Sequence, residues 1–228
     1  MFTHIDHNLE LPNIVDTTTE LGRTYTTPNG NIYPSITTVL SLNDVEWLAK
    51  WRESCGDVVA DRISKAATVQ GEAVHQMVEF YLDNMDRKEI IVNRPDEYKF
   101  MFNQLRQKLK YISDIYQQEA GLYSDLLGVA GRVDCIAYYK GKLSIIDFKT
   151  SSNIKDVNKI SNYFKQGAAY SIMWQELTGI SIDTIVILMA VKNSLMPLEF
   201  IEPVSKWVDP LIVDVDTFYE SEHGLILK

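Results

Sequence analysis

An α/β (α+β) domain, with helices first and a mixed sheet after them, is what this sequence predicts, and three observations predict it. Apolar and aromatic residues recur at helical spacing from about 44 to 84 and again from about 95 to 118. Five short segments then read as strands, at 119–125, 129–139, 142–148, 184–191 and 198–202. A helical stretch at about 159–178 separates the third strand from the fourth, as a crossover does. The expected architecture is a central mixed sheet flanked by helices, with a helical cap ahead of it.

Each element has its own local reason. Residues 23–34 read as a hairpin turning at Pro28-Asn29-Gly30 between Thr- and Tyr-rich arms. Pro34 ends the extended stretch, and Ser35 is placed to cap a helix. Gly56 and Gly71 are expected to interrupt the next helical pattern. From Pro95 to Gln118 one helical face carries Tyr98, Phe102, Leu105, Leu109, Ile112 and Tyr116. Lys140-Gly141 is short enough for a two-residue hairpin turn between strands that are apolar on both faces. Beyond Val204 a last helix is expected, capped by Asp209 ahead of Pro210.

Composition narrows the function classes. A chain of 228 residues with 46% hydrophobic and 23% charged residues is globular, not disordered or fibrous. The longest apolar run, Ile185 to Val191, is seven residues, against about 20 for a spanning helix, so no membrane partner is expected. The N-terminus carries neither a signal nor a transit pattern, which makes a cytoplasmic location the expectation. Cys55 and Cys135 are too few for a disulfide scaffold or an iron–sulfur cluster and read as buried thiols. The net charge of −9 argues against a polyanionic partner, but the charge is uneven. Residues 1–46 hold six acids and one base, residues 195–228 seven acids and two bases, and 47–194 eighteen acids and nineteen bases. Lys140–Lys165 has six lysines and two aspartates, and Lys99–Lys110 four bases and no acid. Such runs are either solvated faces or tracks for phosphates.

The stretch from Gly128 to Thr150 carries the chemistry. With the turn at Lys140-Gly141, Asp134 lies directly opposite Asp147, with Cβ atoms about 5 Å apart on one face of the sheet. Lys149, two residues on, points the same way. Two carboxylates so placed require compensation, and a divalent cation with hard oxygen ligands, Mg²⁺ or Mn²⁺, supplies it. The alternative is a simple Asp147–Lys149 pair. The acid-x-Lys spacing alone decides nothing, since Asp86-Arg87-Lys88 and Glu97-Tyr98-Lys99 share it. Gly71, His75 and Glu79 stack along one helix face at intervals of four, where His75 is either a metal ligand or a core histidine. Gln166 and Tyr170 are likewise four apart.

In this order, Gly71-x-x-x-His75, Gly131-x-x-Asp134, Asp147-x-Lys149 and Gln166-x-x-x-Tyr170 resemble the RecB-like branch of the PD-(D/E)XK nucleases. Tyr33 to Leu40 and Gly141 to Ser151 are similar to the mitochondrial genome maintenance exonucleases and their phage relatives. The resemblance spans about 33–190. It implies a restriction-endonuclease-like core and one nuclease domain over 1–228. Its parts would be an N-terminal extension with the hairpin (1–34), a helical cap or arch (35–116), the catalytic sheet (117–203) and a C-terminal element (204–228). It implies a Mg²⁺- or Mn²⁺-dependent deoxyribonuclease, active in DNA replication, recombination or repair, that degrades single-stranded DNA from free ends. It further implies a bacterial or phage-infected cell as the setting. A structure-dependent endonuclease or resolvase, and a non-catalytic module that binds nucleic-acid ends, are the alternatives. The implied catalytic residues are Asp134, Asp147 and Lys149. The implied metal ligands are His75, Asp134, Asp147 and the Phe148 carbonyl, with Glu119 and Glu79 as additional acidic candidates. Gln166 and Tyr170, and with them Arg132, Thr150 and Ser151, are the implied substrate contacts. Trp47, Trp51, Tyr81, Phe100 and Phe102 in the helical cap are either base-stacking surfaces or core.

Overall fold

In the computed structural model, which describes residues 1–6, 9–221 and 224, the chain opens with a three-stranded antiparallel sheet. Strands β1 (Val15–Thr19), β2 (Gly22–Thr26) and β3 (Ile32–Pro34) run in that order. The turn between β2 and β3 lies at the expected Pro-Asn-Gly, whereas β1 is an addition that the sequence pattern did not disclose. Helix α1 (Ile36–Ser41) follows at once, and the Ser35 hydroxyl accepts the Thr38 N–H at 3.0 Å as its cap.

Helices α2 (Val45–Cys55) and α3 (Asp57–Leu82) break at Gly56, whose φ of +83° only glycine adopts cheaply. Gly71 does not break α3: one glycine costs a helix interior about 1 kcal/mol, which a helix of 26 residues tolerates. Helix α2 buries no side chain, and before Val74 helix α3 buries only Ala60, so α2 and the first part of α3 form an exposed arm while the rest of α3 packs on the sheet. Trp47 and Trp51 stack on its surface, their rings parallel within 1°. Phe102 is fully buried and Tyr81 packs against it and Phe2, so these two aromatics belong to the core. Cys135 is buried, but Cys55 is only partly so.

After α4 (Arg87–Ile91), helix α5 (Asp96–Leu109) ends sooner than the periodicity indicates, and strand β4 (Ile112–Ser124) begins. The helical region thus stops at Leu109, short of 116. Its cause is a β-bulge. The β4 pairing shifts between Ser113 and Ile115, with Asp114 at φ +44°. The extra residue puts Ile112 and Ile115 on one face, where both are buried, and so imitates the three-residue step of a helix.

Strands β5 (Val129–Tyr139), β6 (Lys142–Ser151), β7 (Thr184–Val191) and β8 (Leu198–Pro203) complete a five-stranded sheet in the order β4-β5-β6-β7-β8. All neighbours are antiparallel except β6 and β7, which are parallel and joined through α6 (Ser161–Thr178). The β5–β6 register, Tyr139↔Lys142 to Cys135↔Ile146, is the one that the turn at Lys140-Gly141 requires. The architecture is therefore α+β, a mixed sheet flanked by helices.

The sheet has a core on each face. Ile145, Ile185, Ile187 and Met189 pack with α1, α6 and α7 (Val208–Glu220), while Ile146, Phe148, Val186, Leu188 and Ala190 pack with α3 and α5. Being covered on both faces, β7 reads in the sequence as an unbroken apolar run. Helix α7 starts one residue before Asp209, which sits in the first turn where it meets the helix dipole favourably instead of capping it. Of the expected C-terminal element, residues 222, 223 and 225–228 lie outside the described residues. Among the described residues no helix is long and apolar enough to cross a membrane.

Candidate metal centre and its cleft

Strands β5 and β6 stop pairing at Cys135↔Ile146, while β6 continues along β7 to Ser151↔Val191. The two strands therefore part at Asp134 and Asp147, and the Asp134 carboxylate accepts the Phe148 N–H at 2.8 Å where the ladder ends. On its other side, β5 pairs with β4 through Gln118↔Cys135 and Ala120↔Val133, passing over Glu119 and Asp134. Glu119 has φ +48°, a conformation that non-glycine residues adopt at a cost and that collects at functional sites. A gap in the sheet thus opens with acids on both rims.

Helix α3 closes the gap from one side. His75 packs edge-on against the Phe148 ring, at 6.3 Å between centroids, and its Nδ1 lies 3.5 Å from Asp134 Oδ2. His75, Glu119 and Asp134 offer ligand atoms all within 4.8 Å of one another. Donors on opposite sides of an octahedral Mg²⁺ lie about 4.2 Å apart, so a small contraction would seat one ion among the three. Next to them the Asp147 Oδ1 accepts from Lys149 Nζ at 2.6 Å, and Asp147 is only 2% exposed. Its Oδ2 is buried with no hydrogen-bond partner among the described residues. An orphaned buried carboxylate oxygen is costly and is explained by a ligand that the side chain awaits.

Electrostatics point the same way. Burial, reinforced by the charges of Asp134 and Glu79, pushes the Glu119 carboxyl up to about 7. Burial raises Asp147 to about 6 against the pull of Lys149, and Asp134 adds to the rise. Burial and then Asp83 raise Glu79. Burial works against the Lys149 ammonium, but Asp147 and Asp134 outweigh it and keep the group charged. Carboxylates that retain protons near neutrality are a cluster short of positive charge, and the oxygen and imidazole donors suit a hard divalent cation.

His75, Glu79, Glu119, Asp134 and Lys149 line a cleft of about 760 Å³, whereas Asp147 lies buried behind Lys149 and does not line it. Gln166 and Tyr170 of α6 line it too; the Gln166 Nε2 donates to the Tyr170 hydroxyl at 3.1 Å. Gly131 is needed beneath Tyr170, since a Cβ there would meet the ring Cε1 at 2.8 Å. The Arg132 guanidinium donates to the Glu119 carbonyl at 2.8 Å and so braces the strained residue. Glu79 lies at the margin of the cleft, and Thr150 faces Gly71, whose Cβ would sit 3.7 Å from the Thr150 Oγ1. Ser151 does not line the cleft; its hydroxyl donates to the Asn153 carbonyl at 2.7 Å.

Two expectations shift. Apart from Lys149, the basic stretches lie outside the cleft: Lys108 and Lys140 share Glu199, and with Lys110 they surround the Tyr111 ring. That cluster sits by the Lys140-Gly141 turn, where β5 ends, whereas Asp134 lies at the middle of the strand. Conversely, the cleft recruits Arg23 and Tyr25 of β2 and Thr68, Glu72 and Gln76 of α3, none of which was a candidate site residue, together with Thr37 from the Tyr33–Leu40 segment. The α3 residues were discoverable as a polar stripe at steps of three and four through Gly71, His75 and Glu79. The hairpin residues carried no such signal.

No family model matches the chain. It is similar to mitochondrial genome maintenance exonuclease 1 of Homo sapiens, 27% identical over 135 residues, and of Xenopus tropicalis, 28% identical over 137. These matches cover 55% and 56% of this chain and 38% of each relative's own length. The similarity is weak and partial, and it supports a relationship to a nuclease, with which the sheet and its flanking helices are consistent.

Proposed function

We propose that this chain is a metal-dependent deoxyribonuclease of the PD-(D/E)XK type, an exonuclease that hydrolyses phosphodiester bonds of single-stranded DNA from free ends. The observation that carries this reading is the grouping of His75, Glu119 and Asp134 in one open cleft with Lys149, which the buried Asp147 holds from behind. The names of the two similar proteins support the exonuclease part. In this reading His75, Glu119 and Asp134 hold Mg²⁺ or Mn²⁺, with the free Asp147 Oδ2 and the Phe148 carbonyl as further ligands. When bound, such a cation lowers the pKa of a water and offsets charge on the phosphate.

The chain's own groups do the rest. Asp147 holds the Lys149 ammonium in place, and that ammonium donates to the attacking water and to a non-bridging oxygen of the scissile phosphate, stabilising the charge that grows there. Asp147 and Asp134 push the Lys149 ammonium above its ordinary range, which suits it to orient and to stabilise. Gln166 and Tyr170 hold the strand against the floor of the cleft, while Arg132 braces the Glu119 backbone through its carbonyl.

Linear and circular single-stranded DNA, incubated with the protein and Mn²⁺, test the reading. Loss of the linear strand with the circle intact is the expected result. Cleavage of the circle marks a structure-dependent endonuclease instead, and binding of ends without cleavage marks a non-catalytic module.

A further inference from the structure

We infer that Arg23, on the N-terminal hairpin, forms a second phosphate-binding subsite in the cleft, for a phosphodiester of the single strand other than the one being cut. The inference rests on the nuclease reading and adds to it a part of the chain that no catalytic motif includes.

The cleft lining holds four carboxylates, of Glu72, Glu79, Glu119 and Asp134, and a polyanion must enter past them. Three permanent cations face them: Lys149, Arg132 and Arg23. Lys149 is engaged by Asp147 and Arg132 by the Glu119 carbonyl. The Arg23 side chain, in contrast, has neither an ion pair nor a hydrogen bond among the described residues, so its five N–H donors remain available. Arg23 is also the lone base in the first 46 residues, which otherwise hold six acids.

Its backbone is nevertheless held firmly. The Arg23 N–H donates to the Thr38 hydroxyl at 3.1 Å, and the Arg23 carbonyl accepts from the Ser35 N–H at 2.8 Å and from the Thr38 hydroxyl at 3.3 Å. Tyr25, two residues along the same face of β2, is buried at 2% exposure and lines the cleft as well. An exposed guanidinium on a clamped strand, aimed into an acidic cleft and left without an acid, has the form of a group that waits for an anion. A planar fork of donors matches two phosphate oxygens at once.

The test measures binding of a dye-labelled single-stranded deoxyoligonucleotide in EDTA across a KCl series, and then kcat and KM with Mn²⁺. For Arg23→Gln the slope of log K against log [KCl] should shrink by about 0.7, the share of one phosphate on a single strand. KM should rise about tenfold or more with kcat little changed, the pattern of a contact made equally in ground and transition states. Arg23→Lys should restore the slope but not the whole affinity, since the fork is lost. Lys206→Gln, which removes the same charge outside the cleft, should alter neither. An unchanged slope and KM in Arg23→Gln, with wild-type protein that binds and cleaves, overturns the subsite and leaves the nuclease reading standing. A fall in kcat with KM unchanged overturns it too. If wild-type protein neither binds nor cuts the strand, both readings fail. Should Arg23→Gln not fold, Arg23→Lys decides: a raised KM at constant kcat supports the subsite, and an unchanged KM removes it.

Discussion

Replacing Glu119 by Gln should make the protein more stable at neutral pH and less able to use a metal. The wild-type carboxyl titrates near 7 in the fold because of burial and the charges of Asp134 and Glu79, against 4.5 for an ordinary Glu. A carboxylate whose folded pKa is raised binds more protons folded than unfolded, so stability falls as pH climbs from 4.5 to 7. At about 1.4 kcal/mol per pH unit over that window the loss would be about 3 kcal/mol. The side chain is partly exposed, so solvent screens it, and about 2 kcal/mol is the expected size. Glutamine keeps the shape and abolishes the titration. Urea melts in EDTA, followed by Trp fluorescence, should find the variant close to wild type at pH 4.5 and about 2 kcal/mol more stable at pH 8. Mn²⁺ should then stabilise wild type more than the variant, because the variant has lost a charged donor. A gap that does not change with pH, or a variant less stable at pH 8, would refute the account of an overcharged cluster.

Other outcomes follow from the same geometry. Lys149→Ala should lower kcat by about 10²–10³-fold and, by leaving Asp147 buried without its partner, destabilise the fold by about 3 kcal/mol; single-turnover rates and urea melts check the two effects separately. Gly131→Ala drives a Cβ to 3.0 Å from the Tyr170 hydroxyl and 3.3 Å from Ile36 Cγ2, which should cost about 1–3 kcal/mol in thermal melts. Gln104, buried on α5, both donates to the Val191 carbonyl and accepts the Val191 N–H. Gln104→Leu should leave the Val191 N–H unpaired, while its carbonyl keeps the Ser194 N–H, and cost about 2 kcal/mol, with amide exchange at Val191 quickened.

How far the sequence could be read depended on the range of the interactions involved. The β5–β6 register was legible because a two-residue turn at Lys140-Gly141 fixes it locally. Lys149 and Asp147 came with it, since alternation along a strand is a rule of two residues. The end of α5 was misplaced because the bulge at Asp114 lets Ile112 and Ile115 share a face, a spacing that belongs equally to a helix. Glu119 was only a marginal candidate because its approach to His75 depends on α3 meeting the sheet, a contact between segments more than forty residues apart. Arg23 and Tyr25 left no trace in the pattern for the same reason, and β1, Val-Asp-Thr-Thr-Thr, is exposed throughout without any apolar alternation. The basic stretches misled in the opposite direction. Charge runs record where lysines are in the chain, and Glu199 gathers Lys108 and Lys140 well away from the acids.

The central claim is metal-dependent hydrolysis at Asp134, Asp147 and Lys149. Its most direct measurement is the fate of end-labelled single-stranded DNA with wild-type protein and with Asp134→Asn, each in Mn²⁺, Mg²⁺ and EDTA. Progressive loss of the strand only with wild type and only with metal is the predicted result. Equal degradation by the variant, or degradation undiminished in EDTA, would contradict it.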